Sequence, residues 1–154
     1  MVKMKRIGTV ENNFHIYQKK IGSYMVVFLT ENHSVSLTNF EWCDFMSEET
    51  LAFKADLVID GIIVGECRNE GRGGCADYYG YNNWDLTNKA EEEIRTMEDY
   101  CFPKMKLSLS DVIDNIANLM VTLITSKIRS NVMALCVIEQ IQKQADYYRD
   151  KYSK

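Results

Sequence analysis

Residues 53–74 read FKADLVIDGIIVGECRNEGRGG, and this segment decides the fold. Apolar side chains alternate along residues 53–59, which is typical of a strand with one buried face. Asp60-Gly61 favours the two positive φ angles of a type I′ turn, and residues 62–67 form the return strand. Three glycines in four positions give residues 69–74 too much backbone freedom for a strand interior. The segment therefore predicts a β-hairpin followed by a glycine-rich loop.

Further strands are predicted upstream of this hairpin. Alternating or β-branched runs occupy residues 14–18, 24–30 and 34–39, with the polar turn 31–33 before the last of them. Apolar residues continue at even intervals after residue 39. A long or bulged strand is therefore expected to run to Phe45. Residues 75–81 fit either a strand or an irregular loop.

The second half of the chain has helical spacing. Thr87 is the predicted N-cap of a helix whose apolar face includes Met97 and Cys101 and which Pro103 ends. This places Glu91–Glu93 in the first turns, where the helix dipole favours negative charge. Ser108 and Asp111 indicate a capping box, and residues 129–131 either break or kink the helix before residues 132–148.

Taken together, these elements predict one α+β domain over residues 1–154. We expect an antiparallel sheet of about five strands in the N-terminal half, packed by two or three C-terminal helices. The last helix carries a wide apolar stripe over residues 132–142. Such a stripe is usually core, and the alternative is the seam of a homodimer.

Composition narrows the class of protein. With 46% hydrophobic residues and one proline, the chain is neither disordered nor collagen-like. Its apolar runs are far shorter than the roughly 20 residues that span a bilayer, and no apolar segment of a signal peptide follows the basic start. The five cysteines are odd in number and widely spaced, which indicates reduced thiols. We therefore expect a cytoplasmic protein without membrane contact, metal or cofactor.

Charge is distributed unevenly along the chain. The balance is +4 over residues 1–20, −5 over residues 41–60, −4 over residues 85–99 and +3 over residues 127–154. An acidic middle between basic ends argues against direct nucleic-acid binding, which concentrates Lys and Arg on one face. It fits a surface that attracts a basic protein partner. The alternative, for residues 91–93 alone, is an ordinary solvated helix face.

Two segments after the hairpin carry candidate binding residues. Backbone N–H groups of residues 71–74 would form an anion nest with Arg68, Asn69 and Arg72, although a tight structural turn fits at least as well because no helix follows the glycines. Tyrosine and tryptophan interleaved with Asn then offer large contact area at low entropy cost. The predicted binding residues are Arg68, Asn69, Arg72, Asp77, Tyr78, Tyr79, Tyr81, Trp84, Glu91, Glu92 and Glu93.

Catalytic motifs are weak in this sequence. A Cys–His pair would have to unite Cys67 or Cys75 with His15 or His33 across the sheet. Carboxylate pairs such as Asp56 with Asp60 lack a matching histidine in the sequence pattern. We therefore expect no catalytic residues and no enzyme activity.

The hairpin segment resembles a motif in small proteins of bacteriophages and mobile elements. The resemblance covers about 30 residues. It is carried by Phe53, Ala55, Leu57, Asp60-Gly61, Gly65, Asn69, Gly71 and Gly73-Gly74, preceded by Ser47-Glu-Glu-Thr50.

Some proteins of that size and origin are acidic inhibitors of bacterial defence, of the anti-CRISPR kind. The resemblance therefore implies a non-enzymatic inhibitor in the host cytoplasm that occupies a basic, nucleic-acid-binding surface of a bacterial effector protein. The alternative hypothesis is a small-ligand or nucleotide binder that uses the glycine loop with Arg68 and Arg72.

Overall fold

The computed structural model describes residues 4–44, 46, 49–80 and 82–153, which form one seven-stranded sheet and three α-helices. The strands are β1 Lys5–Val10, β2 Phe14–Lys20, β3 Ser23–Leu29, β4 Ser34–Cys43, β5 Ala52–Ile59, β6 Ile62–Asn69 and β7 Asp77–Gly80. The helices are α1 Trp84–Ile94, α2 Leu109–Thr125 and α3 Asn131–Tyr152. Among the described residues, no helix is both long enough and apolar enough to cross a membrane.

The sheet is antiparallel throughout, and its strand order is the order of the chain. The α+β class and the antiparallel sheet are therefore confirmed, whereas the expected count of about five strands is wrong. Strand β1 was not predicted, because an edge strand with exposed Lys5 and Arg6 lacks the alternation of a buried strand. It left β7 open between strand and loop, because four residues are too few to show a period.

The hairpin of β5 and β6 forms as predicted. Asp60 and Gly61 have φ angles of 53° and 80°, the positive pair that a type I′ turn requires. The Asp60 carboxylate also accepts a hydrogen bond from the backbone N–H of Ser34 at 2.8 Å. Because Ser34 begins β4, this contact ties the hairpin tip to the neighbouring strand.

The predicted irregularity of β4 is a β-bulge. The register shifts between Thr38 and Glu41, and Asn39 takes a left-handed φ of 51°. Its side chain donates to Asp56 at 2.6 Å and so fixes the bulge against β5. The described strand ends at Cys43, and Phe45, Ser47, Glu48 and Tyr81 lie outside the described residues.

Helix α1 begins earlier than predicted. Its N-cap is Asn83, and Thr87 lies inside the helix, where its buried hydroxyl donates to the Asn83 carbonyl at 3.3 Å. The helix then ends at Ile94, so Met97 and Cys101 lie in the following loop and Pro103 does not end it. As a result residues 91–93 fall in the last turn, where the helix dipole disfavours negative charge.

The ends of α2 and α3 follow local signals. Ser108 and Asp111 form the predicted capping box, since each side chain bonds the other's backbone N–H. The chain breaks before α3, whose N-cap Ser130 accepts a hydrogen bond from the Met133 N–H. The apolar stripe on α3 is only partly core: Ala134 and Ile138 are buried, and Val137 and Ile141 pack against the core. The remaining apolar residues, Val132, Met133, Leu135 and Cys136, are exposed.

The core is one hydrophobic cluster of strand and helix side chains. Helix α2 lies nearest β3 and β4, and α3 lies nearest β1. At β1 the approach is close: a Cβ on Gly8 would stand 3.0 Å from the Ile138 side chain. The predicted binding residues that the structure describes lie on β6, on β7, on α1 and in the loop after β6.

Candidate functional site

The site lies where β5, β6 and β7 run side by side. Ala55 and Cys67 are buried toward the core, whereas Lys54 and Arg68 alternate with them and are exposed on the opposite side. This opposite side is called the open face below. Lys54 pairs with Arg68 across β5 and β6, and Arg68 pairs with Asp77 across β6 and β7.

Tyr79 lies on the open face and is positioned by Arg68. The guanidinium carbon of Arg68 lies 5.5 Å from the Tyr79 ring centroid, and its Nη2 donates to the Tyr79 hydroxyl at 3.3 Å. A cation over an aromatic face is attracted by the ring quadrupole. The ring is thereby held in place while 52% of the residue remains exposed.

Asn69 does not point into solvent, because it is 7% exposed and its amide organises the glycine loop. Its Oδ1 accepts from the Gly71 N–H and from the Thr50 hydroxyl, both at 2.9 Å. Its Nδ2 donates to the Gly74 carbonyl at 3.3 Å and to Asp114 Oδ1 at 3.1 Å. Asn69 therefore has a positioning role, and its side chain is not available to a ligand.

Two of the four backbone donors of the predicted anion nest are engaged within the chain. The Gly71 N–H bonds Asn69, and the Gly73 N–H donates to the Thr50 hydroxyl at 3.3 Å. The Gly71 carbonyl accepts from the Glu49 N–H at 2.9 Å. A backbone donor that is already satisfied contributes nothing to binding an anion. The loop is thus built as a turn.

Two adjoining clefts flank the loop and the open face. The first, of about 560 Å³, is lined by Lys54, Arg68 and Arg72, with Trp42 and Phe53 among its apolar residues. The second, of about 470 Å³, lies on the open face and shares Lys54 and Arg68 with the first. Such volumes are in the range of small-ligand sites. The predicted pair Arg68 and Arg72 is therefore brought together, but by a cleft and not by the glycine N–H groups.

The acidic triplet on α1 divides into two paired residues and one exposed residue. Glu91 accepts from the Tyr78 hydroxyl and lies 2.5 Å from Nη2 of Arg95. Glu93 accepts from the Asn32 N–H at 3.0 Å. Glu92 is exposed, with no hydrogen bond or ion pair to another described residue. Only Glu92 of the three presents an uncommitted charge.

These contacts shift two pKa values. Burial, followed by the hydrogen bond to Glu91, raises the pKa of the Tyr78 phenol. Hydrogen bonds from the Thr30 side chain and then from Asn32 lower the pKa of Glu93. Tyr78 and Glu93 therefore contribute to the fold more than to a free surface.

Trp84 is the second exposed aromatic residue at this end of the sheet. It is the first residue of α1, and its ring lies against Gly80, where an added Cβ would meet it at 3.5 Å. It remains 54% exposed. Tyr79 therefore lies on the short edge strand β7, where Arg68 contacts its ring, and Trp84 follows this strand, with its ring next to Gly80.

One cluster was not predicted from the sequence: His33 lies between the carboxylates of Asp60 and Glu93. His33 Nδ1 lies 2.9 Å from Asp60 Oδ2, and its Nε2 lies 3.7 Å from Glu93 Oε2. The expectation that the carboxylates lack a matching histidine is therefore wrong for Asp60. The three residues are 27 and 33 positions apart along the chain, so no local spacing could reveal the cluster. It joins the turn before β4, the hairpin tip and α1.

Three cysteines are in surroundings that suppress the thiolate. Burial raises the pKa of Cys67 to about 12 and that of Cys101 to about 12. Burial, followed by the charge of Asp111, also raises the pKa of Cys75. Because the thiolate is the reactive form, these environments disfavour nucleophilic chemistry. Within the described ranges, no three His, Cys, Asp or Glu side chains converge to hold a metal ion.

Glu11 and Cys101 form a buried contact away from this site. The Cys101 thiol donates to Glu11 Oε1 at 2.8 Å, and the Glu11 N–H donates to Gln142 Oε1 at 2.7 Å. Burial raises the pKa of the Glu11 carboxyl; the bond from Cys101 opposes this shift, and Asp99 adds to it. The cluster links the β1–β2 turn to α3.

A pH-dependent stability difference is expected from this contact. Because its folded pKa lies above its unfolded value, Glu11 stabilises the fold fully below the unfolded pKa of about 4.3. That contribution is lost as pH rises through the folded pKa. Urea unfolding should therefore show Glu11→Gln gaining stability relative to the unsubstituted protein between about pH 4 and pH 7. A stability difference for Glu11→Gln that does not change with pH would contradict this assignment.

Comparison with known proteins gives no family for this chain. No protein-family model matches it, and no curated protein or solved structure is significantly similar to it. The resemblance to small phage proteins stays a prediction, and the site is defined by its own geometry alone.

Proposed function

We propose that this protein is a non-enzymatic interaction protein that binds a basic, nucleic-acid-binding surface of a bacterial protein. The binding surface is its acidic end, defined as β5–β7, α1 and the loops between residues 41 and 99. The resemblance to phage proteins adds that the partner is a defence effector and that binding inhibits it. The proposal rests chiefly on how the fold distributes charge.

The main support for this proposal is that segments of opposite net charge in the sequence lie at opposite ends of the sheet. Residues 41–99 contain fifteen acidic and five basic residues, a net charge of −10, whereas residues 1–40 and 100–154 carry +3 each. Because strand order follows chain order, the acidic block occupies one end of the sheet and basic β1 the other. A field of one sign at one end steers association with a surface of the opposite sign.

Exposed aromatic residues lie within the acidic end. Tyr79 lies on β7 and Trp84 begins α1. The exposed acidic residues Asp77 and Asp85 belong to the same strand and helix, and exposed Glu66 of β6 pairs with Tyr79. Large rings with a polar rim are the usual composition of an interface centre. Rings held by Arg68 and by the Gly80 backbone lose little freedom on binding. The acidic residues would then set encounter rate and salt dependence, and the two rings would supply contact energy.

Charge reversal at Glu92 tests this proposal cleanly. Glu92 is exposed and lies near the C-terminal end of α1, so Glu92→Lys leaves the fold intact and even suits the helix dipole. We expect it to weaken partner binding roughly tenfold at low salt and much less at high salt. The protein is immobilised, a bacterial lysate is passed over it, and retained proteins are identified and assayed for nucleic-acid binding.

The matched control is Asp150→Lys, the same charge change on exposed α3 outside the acidic end. Asp150→Lys should bind as the unsubstituted protein does, and Tyr79→Ala with Trp84→Ala should lose binding at every salt concentration. The proposal fails if no retained protein has its nucleic-acid binding blocked, or if Glu92→Lys and Asp150→Lys have equal effects.

The cleft beside the glycine loop favours a second candidate function, the binding of a small anionic ligand such as a nucleotide. Its support is the convergence of Lys54, Arg68 and Arg72 on one cleft. A ligand at 100 times its Kd would stabilise the protein by about 2.7 kcal/mol, and Arg72→Ala would abolish the shift. A thermal-shift series with nucleotides that leaves the unsubstituted protein unmoved rejects this candidate.

A further inference from the structure

Helix α3 presents a row of four exposed side chains on the side turned away from its buried residues Ala134, Ile138 and Ala145. Leu135, Glu139, Lys143 and Tyr147 follow at intervals of four residues and therefore lie along one ridge of the helix. Leu135 is 54% and Tyr147 62% exposed. The ridge spans about 18 Å. We name these four residues the α3 row.

The order of the α3 row is complementary to itself. From Leu135 to Tyr147 the four side chains are apolar, acidic, basic and apolar. Within the helix, Lys143 Nζ lies 3.3 Å from Glu139 Oε1. Reversing the direction of the row exchanges the two charges and leaves an apolar residue at each end. Val132, which is 72% exposed, and exposed Cys136 lie beside Leu135 and widen the apolar contact there.

We infer that the α3 row is the interface of a two-fold symmetric dimer in which α3 packs antiparallel against α3 of a second copy of this chain. The two-fold axis is perpendicular to the helix and crosses it midway between Glu139 and Lys143. It places Glu139 opposite the partner's Lys143 and Leu135 opposite the partner's Tyr147. Each of these contacts occurs twice, as a two-fold interface requires. Helices that cross at about 20° stay in contact over several turns, as this register requires.

Charge complementarity indicates which molecule binds the α3 row and whether its helix runs parallel or antiparallel to α3. A parallel second copy would set Glu139 against Glu139 and Lys143 against Lys143, and like charges in contact oppose association. An unrelated partner would need an unrelated sequence that happened to match the row, whereas the second copy matches it by construction. The acidic end, which carries the proposed function, is not part of this surface, so the inference goes beyond that function.

Sedimentation velocity of the purified chain under reducing conditions tests the dimer. We expect a concentration-dependent species of twice the 17.9 kDa chain mass. Glu139→Lys alone sets lysine against lysine at two places, and Lys143→Glu alone sets glutamate against glutamate. Each is expected to raise the dissociation constant at least about tenfold. The double variant E139K/K143E restores opposite charges and is expected to restore the dimer.

The controls separate the dimer from a role of these residues within one helix. If Glu139 and Lys143 only support α3 internally, single reversals lower the thermal midpoint without changing the mass. Lys89→Glu on α1 reverses an exposed charge elsewhere and should leave the mass unchanged. The inference is overturned if the chain is a monomer at all concentrations, or if the single reversals leave the dimer intact, or if the double variant fails to restore it.

Discussion

Replacing Gly65 with alanine is expected to lower the free energy of unfolding by about 3 kcal/mol. A Cβ at this position would stand 1.9 Å from the Tyr79 carbonyl oxygen and 2.8 Å from the Gly80 Cα. Both atoms belong to the backbone of β7, so neither can rotate away. The substitution therefore forces β7 off β6, where Gly65 pairs with Gly80. Urea unfolding followed by circular dichroism measures the loss.

The matched control is Gly61→Ala in the hairpin turn. Gly61 has a φ of 80° but open space within 4 Å of an added Cβ, so alanine meets backbone strain without a clash. Its expected cost is about 1 kcal/mol. Because β7 carries Tyr79, Gly65→Ala should also remove partner binding, which Gly61→Ala should retain. Equal losses of stability for the two variants would show that close approach of β7 is not what requires Gly65.

Replacing Asn69 with alanine is the second large effect, with an expected loss of roughly 2 to 3 kcal/mol of unfolding free energy. The change removes four hydrogen bonds and leaves the Gly71 N–H and the Asp114 carboxylate without this partner. Burial already raises the pKa of Asp114, and the bond from Asn69 opposes that rise. The pKa of Asp114 should therefore rise further in Asn69→Ala, which NMR titration of the carboxyl can follow.

Asn118→Ala is the control for the loss of an asparagine amide. Asn118 is exposed, and its Nδ2 donates to the Asp114 carbonyl one turn earlier in α2. Because water replaces this bond and alanine favours a helix, the expected change is within about 0.5 kcal/mol. If Asn69→Ala costs no more than Asn118→Ala, the glycine loop holds its shape without the Asn69 amide.

The loop and the surface beside it have different roles in this arrangement. Two residues of the loop are buried and bonded within the fold: Asn69 bonds α2 through Asp114, and Gly71 bonds Glu49. The residues that face solvent, Tyr79 and Trp84, lie on β7 and at the start of α1. The loop therefore fixes the end of β6 and leaves the proposed contact surface downstream of it.

Features that depend on a few neighbouring residues could be read from the sequence. The type I′ turn follows from the φ angles that Asp60 and Gly61 accept, and the capping box follows from Ser108 and Asp111 three positions apart. The start of α3 at Ser130 is equally local. Each of these elements brings its own hydrogen-bonding partner within three residues, so no distant segment is needed to specify it.

Features that depend on distant partners could not be read in this way. Strand β1 exists because it pairs with β2, and Glu93 acts as a partner of Asn32, 61 residues away. The N-cap of α1 was predicted four residues late, at Thr87 instead of Asn83, which placed the acidic triplet at the wrong end of the helix. Of the predicted binding residues, Arg68, Arg72, Tyr79, Trp84 and Glu92 remain accessible, and Asn69, Tyr78, Glu91 and Glu93 are engaged inside the fold.

The sequence by itself determined the antiparallel hairpin, the helix caps and the uneven distribution of charge, because these are properties of composition and of short-range backbone preference. Only the tertiary structure decided which charges and rings face solvent. That choice depends on which distant side chains meet when the sheet and helices pack, as Asn69 of β6 and Asp114 of α2 do over 45 positions. It also decided that the α3 row is exposed, since the same apolar spacing serves a core or an interface until neighbouring elements are in place.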